Sequence, residues 1–173
     1  MRRPLARIAA GITLSAALAI GAAAPAEAAV PREYTNALRS AQSYVRTLDF
    51  SEAGLYDQLT SEYGGKFPKK AAKYALKHVK VNYKHEALGA AQSYVKSLDF
   101  SKDGLRDQLT SKSGSQFTAG QAAYALNHVK VNYKREALGA AKSYQKTLHL
   151  SDDALYDQLT SEYGGQFTAA QAK

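Results

Sequence analysis

The stretch Ser101-Lys102-Asp103-Gly104-Leu105-Arg106-Asp107-Gln108-Leu109-Thr110-Ser111 decides the fold, because the chain writes it three times. Residues 51–61 read Ser-Glu-Ala-Gly-Leu-Tyr-Asp-Gln-Leu-Thr-Ser, and residues 151–161 read Ser-Asp-Asp-Ala-Leu-Tyr-Asp-Gln-Leu-Thr-Ser. A serine before such a segment caps a helix by accepting a free backbone amide, so a helix is expected to open at Ser51, Ser101 and Ser151. Leu55, Leu59 and Tyr63 lie four apart and read as one stripe of it. Gly64-Gly65 is then expected to end the helix by reaching the left-handed conformation.

Working outward, the repetition extends over a period of 50 residues. With Ala37, Ala87 and Ala137 in register, about 32 of the 50 positions in the first two copies are identical. The segment before the capped helix carries Ala87/Leu88, Ala91, Tyr94/Val95 and Leu98 at three- and four-residue steps, the spacing of one helical face. Asn82 and Asn132 stand where a cap would open it. The segment after it begins with Thr118 and Gln121, the pattern of a capping box, with Phe117 placed to pack onto Ala122; Pro68 replaces the threonine in the first copy, which also suits a helix start. No stretch alternates as a strand does. The expected fold is all-α, tandem three-helix units of helix-turn-helix type, with the third copy truncated. The boundaries read as a signal peptide at 1–28, a linker at 29–36, repeats at 37–86 and 87–136, and a partial repeat at 137–173. Units of about 50 residues bury little surface, so neighbours are expected to lean on each other. The join from Val79 to Glu86 lacks Gly and Pro, which predicts that one unit's third helix runs on into the next unit's first, with a kink near Asn82.

The signal-peptide reading rests on Arg2, Arg3 and Arg7, an uncharged run from Ile8 to Ala24, and the small residues of Ala26-Glu27-Ala28. It implies export, cleavage near Ala28 and no transmembrane span afterwards, hence a place in the cell envelope or outside it. The chain of 173 residues has a formal charge of +8, and losing residues 1–28, with three Arg and one Glu, still leaves a surplus of cations. A basic exported protein is suited to anionic envelope polymers. The absence of cysteine excludes disulfides, thiolate metal sites, cysteine nucleophiles and a lipid-bearing cysteine.

Two groups of residues are candidates for binding. Lys70, Lys73, Lys77, Lys80 and Lys84 recur at helical spacing and, on one continuous helix, would form an anion-binding edge. Tyr56, Tyr63, Tyr156 and Tyr163 are candidates for a partner surface, since the second copy has Arg106 and Ser113 in those places and so tolerates polar groups there. Tyr44/Tyr94/Tyr144, Tyr74/Tyr124 and Tyr83/Tyr133 recur in every copy that has the position and read as core packing with a hydroxyl at the edge. Enzymatic chemistry is not expected. Ser61, Asp57 and His78 offer the residue types of a hydrolase, but nothing marks the serine as an activated nucleophile. No cofactor is implied, and no His/carboxylate cluster has metal-ligand spacing. Specific DNA binding is not expected either: Lys69-Lys70-Ala71-Ala72 lacks the Arg, Asn or Gln that read bases from the start of a recognition helix. Non-specific nucleic-acid binding is a lesser reading.

The phrase Gly104-Leu105-Arg106-Asp107-Gln108-Leu109-Thr110-Ser111, followed by a Gly-x-x-Phe-Thr-x-x-Gln-Ala-x-Tyr-Ala pattern and Val-Asn-Tyr, resembles the Ltp family, the host cell surface-exposed lipoprotein repeats of Gram-positive bacteria and their phages. The resemblance covers residues 34–173. It implies tandem helix-turn-helix-like domains outside the membrane and a function in superinfection exclusion, in which an injected phage tape-measure protein is bound and phage DNA is kept from crossing. This chain differs in lacking the lipid-bearing cysteine and in being basic, where the exclusion proteins present acidic surfaces. The expectation is therefore a secreted envelope interaction module with a phage tape-measure-like protein or an envelope protein as partner; the alternative is a basic wall-associated protein that holds anionic polymer.

Overall fold

The computed structural model describes residues 29–173, and the signal-peptide reading of residues 1–28 lies outside the described residues. Within them the chain forms helices α1 (Arg32–Thr47), α2 (Glu52–Thr60), α3 (Lys69–His78), α4 (Tyr83–Ser97), α5 (Lys102–Thr110), α6 (Ala119–His128), α7 (Tyr133–Leu148), α8 (Asp152–Thr160) and α9 (Ala169–Ala172). No strand occurs among the described residues. The order is one long helix, one nine-residue helix and a third helix, three times over, so the all-α tandem architecture is the one the repeats predict.

The caps set the boundaries. Ser51 and Ser101 Oγ accept from the amides of Gly54 and Gly104 at 3.0 Å, and Ser151 Oγ from Ala154 at 3.3 Å. The side chain of Asn82 takes the Lys84 amide, and that of Asn132 takes those of Lys134 and Arg135. Thr118 and Gln121 close the reciprocal capping box, Thr118 N donating to Gln121 Oε1 at 2.9 Å and Gln121 N to Thr118 Oγ1 at 3.3 Å. Each such cap is worth about 1 kcal/mol.

Each repeat has its own apolar cluster. In the first, α1 meets α3 through alanines: Ala37, Ala41, Ala71, Ala72 and Ala75 are fully buried, with Leu55 and Leu59 of α2 closing the third side. The second repeats this with Ala87, Ala91, Ala122 and Ala125 around Leu105 and Leu109, sealed by Phe117. The third has a smaller cluster of Ala137, Ala140, Leu159 and Phe167. Methyl side chains let the helix axes come close, so the first and third helices pack directly on each other.

Three expectations are corrected. First, α2 stops at Thr60, so Tyr63 does not extend the Leu55–Leu59 stripe; it stands on the following turn in full solvent. Second, the glycines of that turn are not left-handed. The positive φ falls on Lys66, Gln116 and Gln166, at 51°, 57° and 55°. Gly64 is instead needed for close approach, because a Cβ there would strike the carbonyl oxygen of Gln58. Third, α3 does not run on into α4. The backbone leaves the helix at Val79 (ψ 133°), whose side chain is buried, and the Asn82 cap then starts a new helix. Val129 and Asn132 do the same between α6 and α7.

Leu59 and Leu109 have no exposed surface. Leu109→Ala is expected to lower unfolding free energy by about 2–4 kcal/mol, and Thr118→Ala by about 1 kcal/mol, in urea denaturation followed by circular dichroism.

Candidate functional site

Consecutive repeats meet at a junction built mostly from polar groups, and the two junctions are alike. At the first, the α1–α2 loop sits on the start of α4. The Phe50 amide donates to Glu86 Oε2 at 3.3 Å. Gly89 makes room for the Asp49 carboxylate, which any Cβ at that place would strike. Gln116 Nε2, from the turn before α6, reaches back to Asp57 on α2 at 2.9 Å. At the second junction Gly139 admits Asp99, and Gln166 reaches Asp107 at 3.0 Å. Neighbouring units do lean on each other, as their small size requires, but through these bonds rather than a shared apolar core.

This packing crowds acidic groups. Burial raises the pKa of Glu86, the Asp49 charge raises it further, and the Phe50 hydrogen bond partly opposes both. Burial also raises Asp49. Glu136 is raised by burial and by Asp99, against the pull of the Phe100 amide. The phenol of Tyr83, whose hydroxyl is buried with no partner, is pushed up to about 12 by burial and then by the charges of Glu52 and Glu86. Tyr133 repeats the arrangement beside Glu136 and Asp103.

The candidate tyrosines fall into two kinds. Tyr63 and Tyr163 stand on equivalent turns after α2 and α8 with relative exposures of 102% and 93%. Tyr56 is half-buried and lines a groove of about 370 Å³ at the first junction, with Leu76 on its own repeat and Gln116 and Gln121 on the next. At the second junction the corresponding cleft, of about 560 Å³, has Arg106 in place of Tyr56 and is bordered by Tyr163. Tyr156 is half-buried on α8.

The lysine edge does not survive as one face. Lys70, Lys73 and Lys77 lie on α3, Lys80 in the extended segment after it, and Lys84 on α4, all exposed. The break at Val79 is the cause. Lys84 belongs to the second repeat, where its Nζ lies 5.8 Å from the centre of the Tyr124 ring. The hydrolase-like residues are each engaged elsewhere: Ser61 Oγ accepts from Tyr63 N, Asp57 from Gln116, and His78 Nδ1–H donates to the Tyr74 carbonyl. No group of three or more metal-ligating side chains occurs among the described residues.

Sequence reasoning missed the junction residues. Their signal was present, since Asp49/Asp99, Asp57/Asp107 and Glu86/Glu136 recur unchanged. Recurring charge reads as a solvated face until the partner across the junction is known.

The family model for Lipoprotein_Ltp, host cell surface-exposed lipoprotein, matches residues 32–79, 82–129 and 132–173. The chain belongs to the Ltp family. The three matches begin with α1 and at the caps of α4 and α7. Among solved structures, this chain is similar to Ltp, a superinfection exclusion protein from the Streptococcus thermophilus temperate phage TP-J34, at 36% identity and a TM-score of 0.53. The likeness covers 58% of this chain and 99% of that one. No curated protein matches. No described helix is long and apolar enough to cross a membrane.

A carboxyl whose pKa is higher in the fold than in the unfolded chain stabilises the fold most when protonated. That contribution is full below the unfolded pKa and is lost as pH rises through the folded one. Asp49, Glu86 and Glu136 share this sign. Their contribution to melting temperature should therefore fall as pH rises from about 4 toward neutrality. Glu86→Gln keeps an acceptor for Phe50 without a charge, and its melting temperature should vary less over that range than the parent's.

Proposed function

We propose that the chain acts outside the cytoplasmic membrane as a superinfection exclusion protein, one that binds an injected phage protein and so keeps phage DNA from crossing. The observation that carries this reading is the 36% identity to the phage exclusion protein over 99% of that protein's length, a stretch close to two repeats. Family membership, with its surface-exposed description, supports the location.

The contact residues follow from exposure. A large side chain held in solvent gains nothing for the fold and is a ready anchor for a partner, and tyrosine is enriched among the residues that dominate binding energy. Tyr63 and Tyr163 fit this best, for they stand clear of all three clusters. Tyr56 adds a half-buried ring at the edge of the junction groove. Tyr156 is the matching position on α8. The partner's matching feature would be apolar surface with hydrogen-bond acceptors for the phenols.

Cells of a Gram-positive host expressing the full chain would be challenged with a phage panel, scoring adsorption and DNA uptake separately. Normal adsorption with blocked uptake for some phages is expected. Tyr63→Ser with Tyr163→Ser places at both turns the residue that Ser113 already supplies in the second repeat, so the fold should persist while uptake recovers by about tenfold or more. Blocked adsorption, or uptake unaltered by the double variant, would remove these tyrosines from the mechanism.

A further inference from the structure

The break between α6 and α7 gathers four basic side chains from four segments. Lys96 comes from the last turn of α4, His128 from the end of α6, Lys130 from the extended connection and Arg135 from the first turn of α7. With Gln92 and Asn132 they line a cleft of about 770 Å³. The ion pairs among the described residues are Lys66–Glu62 and Arg106–Asp103, so Lys96, Lys130 and Arg135 have no carboxylate partner there. Glu136 also lines the cleft and feels the charge of Arg135 beside it, but forms no ion pair with these cations. His128 is held in place: it stacks on Tyr124 with ring centroids 4.0 Å apart, and its Nδ1–H donates to the Tyr124 carbonyl at 2.7 Å. Nε2 remains for a ligand.

Comparison of the repeats separates these cations from those of α3. On the third helix Lys70, Lys73 and Lys77 become Gly120, Ala123 and Asn127 in the second repeat. At the cleft positions the basic character persists though the residues change: Arg46 corresponds to Lys96, His78 to His128, Lys80 to Lys130 and His85 to Arg135. A merely solubilising charge has no reason to survive at these four positions while three neighbours are lost.

We infer that this cleft is a phosphate-binding site that takes the phosphodiester units of a linear polyol-phosphate polymer. The donor set suits phosphate, since Arg135 offers a planar fork and the lysines offer mobile ammonium groups. The cleft is larger than a single inorganic anion needs, and the same basic set recurs one repeat earlier, so one linear chain can engage successive units with avidity. None of the large exposed apolar side chains, such as Leu98 or Leu138, lines the cleft, which disfavours a lipid bilayer as the occupant. The inference is independent of the exclusion reading and regroups only Lys80 from the lysine edge.

The test uses the full chain and a fluorescein-labelled glycerol-phosphate oligomer, followed by anisotropy at moderate salt. The triple variant Lys96→Gln, Lys130→Gln, Arg135→Gln is expected to weaken binding about tenfold. Lys70→Gln, Lys73→Gln, Lys77→Gln removes the same charge from α3 and should stay within about twofold, with circular dichroism showing both folded. Equal losses in the two variants would mean that only net charge acts and would overturn the site, as would no binding by the parent chain. Tighter binding of a single-stranded DNA of equal phosphate number, or of phosphatidylglycerol vesicles, would overturn the polymer assignment.

Discussion

The close contact of alanine faces between the first and third helices of each repeat is the constraint on which the structure depends. Ala37 and Ala41 against Ala71, Ala72 and Ala75 form the centre of the first cluster, closed by Leu55 and Leu59 of the short middle helix and flanked by half-buried rings such as Tyr44, Phe50 and Phe67. A core this thin is complete at about 50 residues, and it cannot enlarge by merging with its neighbour. The chain therefore grows by repetition, with three separate clusters. Because the clusters do not merge, the repeats are joined by hydrogen bonds and by carboxylates seated over glycine.

That division of labour shapes what the surface can do. The contacts that join the repeats are made largely by acids and amides, beside the buried phenols of Tyr83 and Tyr133. The same two junctions expose different chemistry. The first presents Tyr56 beside Leu76, while the second presents Arg106 beside Tyr163. A scaffold whose internal bonds repeat can vary these outward positions without cost to its core, which is how one fold carries distinct contact surfaces.

Fold class was legible because caps are local. Ser51, Asn82, Thr118 and their copies bind amides two or three residues away, so their meaning does not depend on the rest of the chain. The candidate contacts were only half legible. The variability of Tyr63 and Tyr163 between copies marked them as outward-facing, but placing Tyr63 in the Leu55–Leu59 stripe assumed a helix one turn longer than the fold allows. The lysine edge failed for a related reason: helical spacing places residues on one face only while the helix continues.

The sequence by itself determined the helical class, the 50-residue period, the caps and the two leucines of each middle helix, since each follows from spacing along the chain. The tertiary structure decided where α3 ends: the backbone turns extended at Val79 although the segment from Val79 to Glu86 carries neither Gly nor Pro. It decided the partners of Asp57 and Asp107, which lie 59 residues away at Gln116 and Gln166. It also decided which cations share a cleft, since Lys96, His128, Lys130 and Arg135 are brought together by packing that no local pattern encodes.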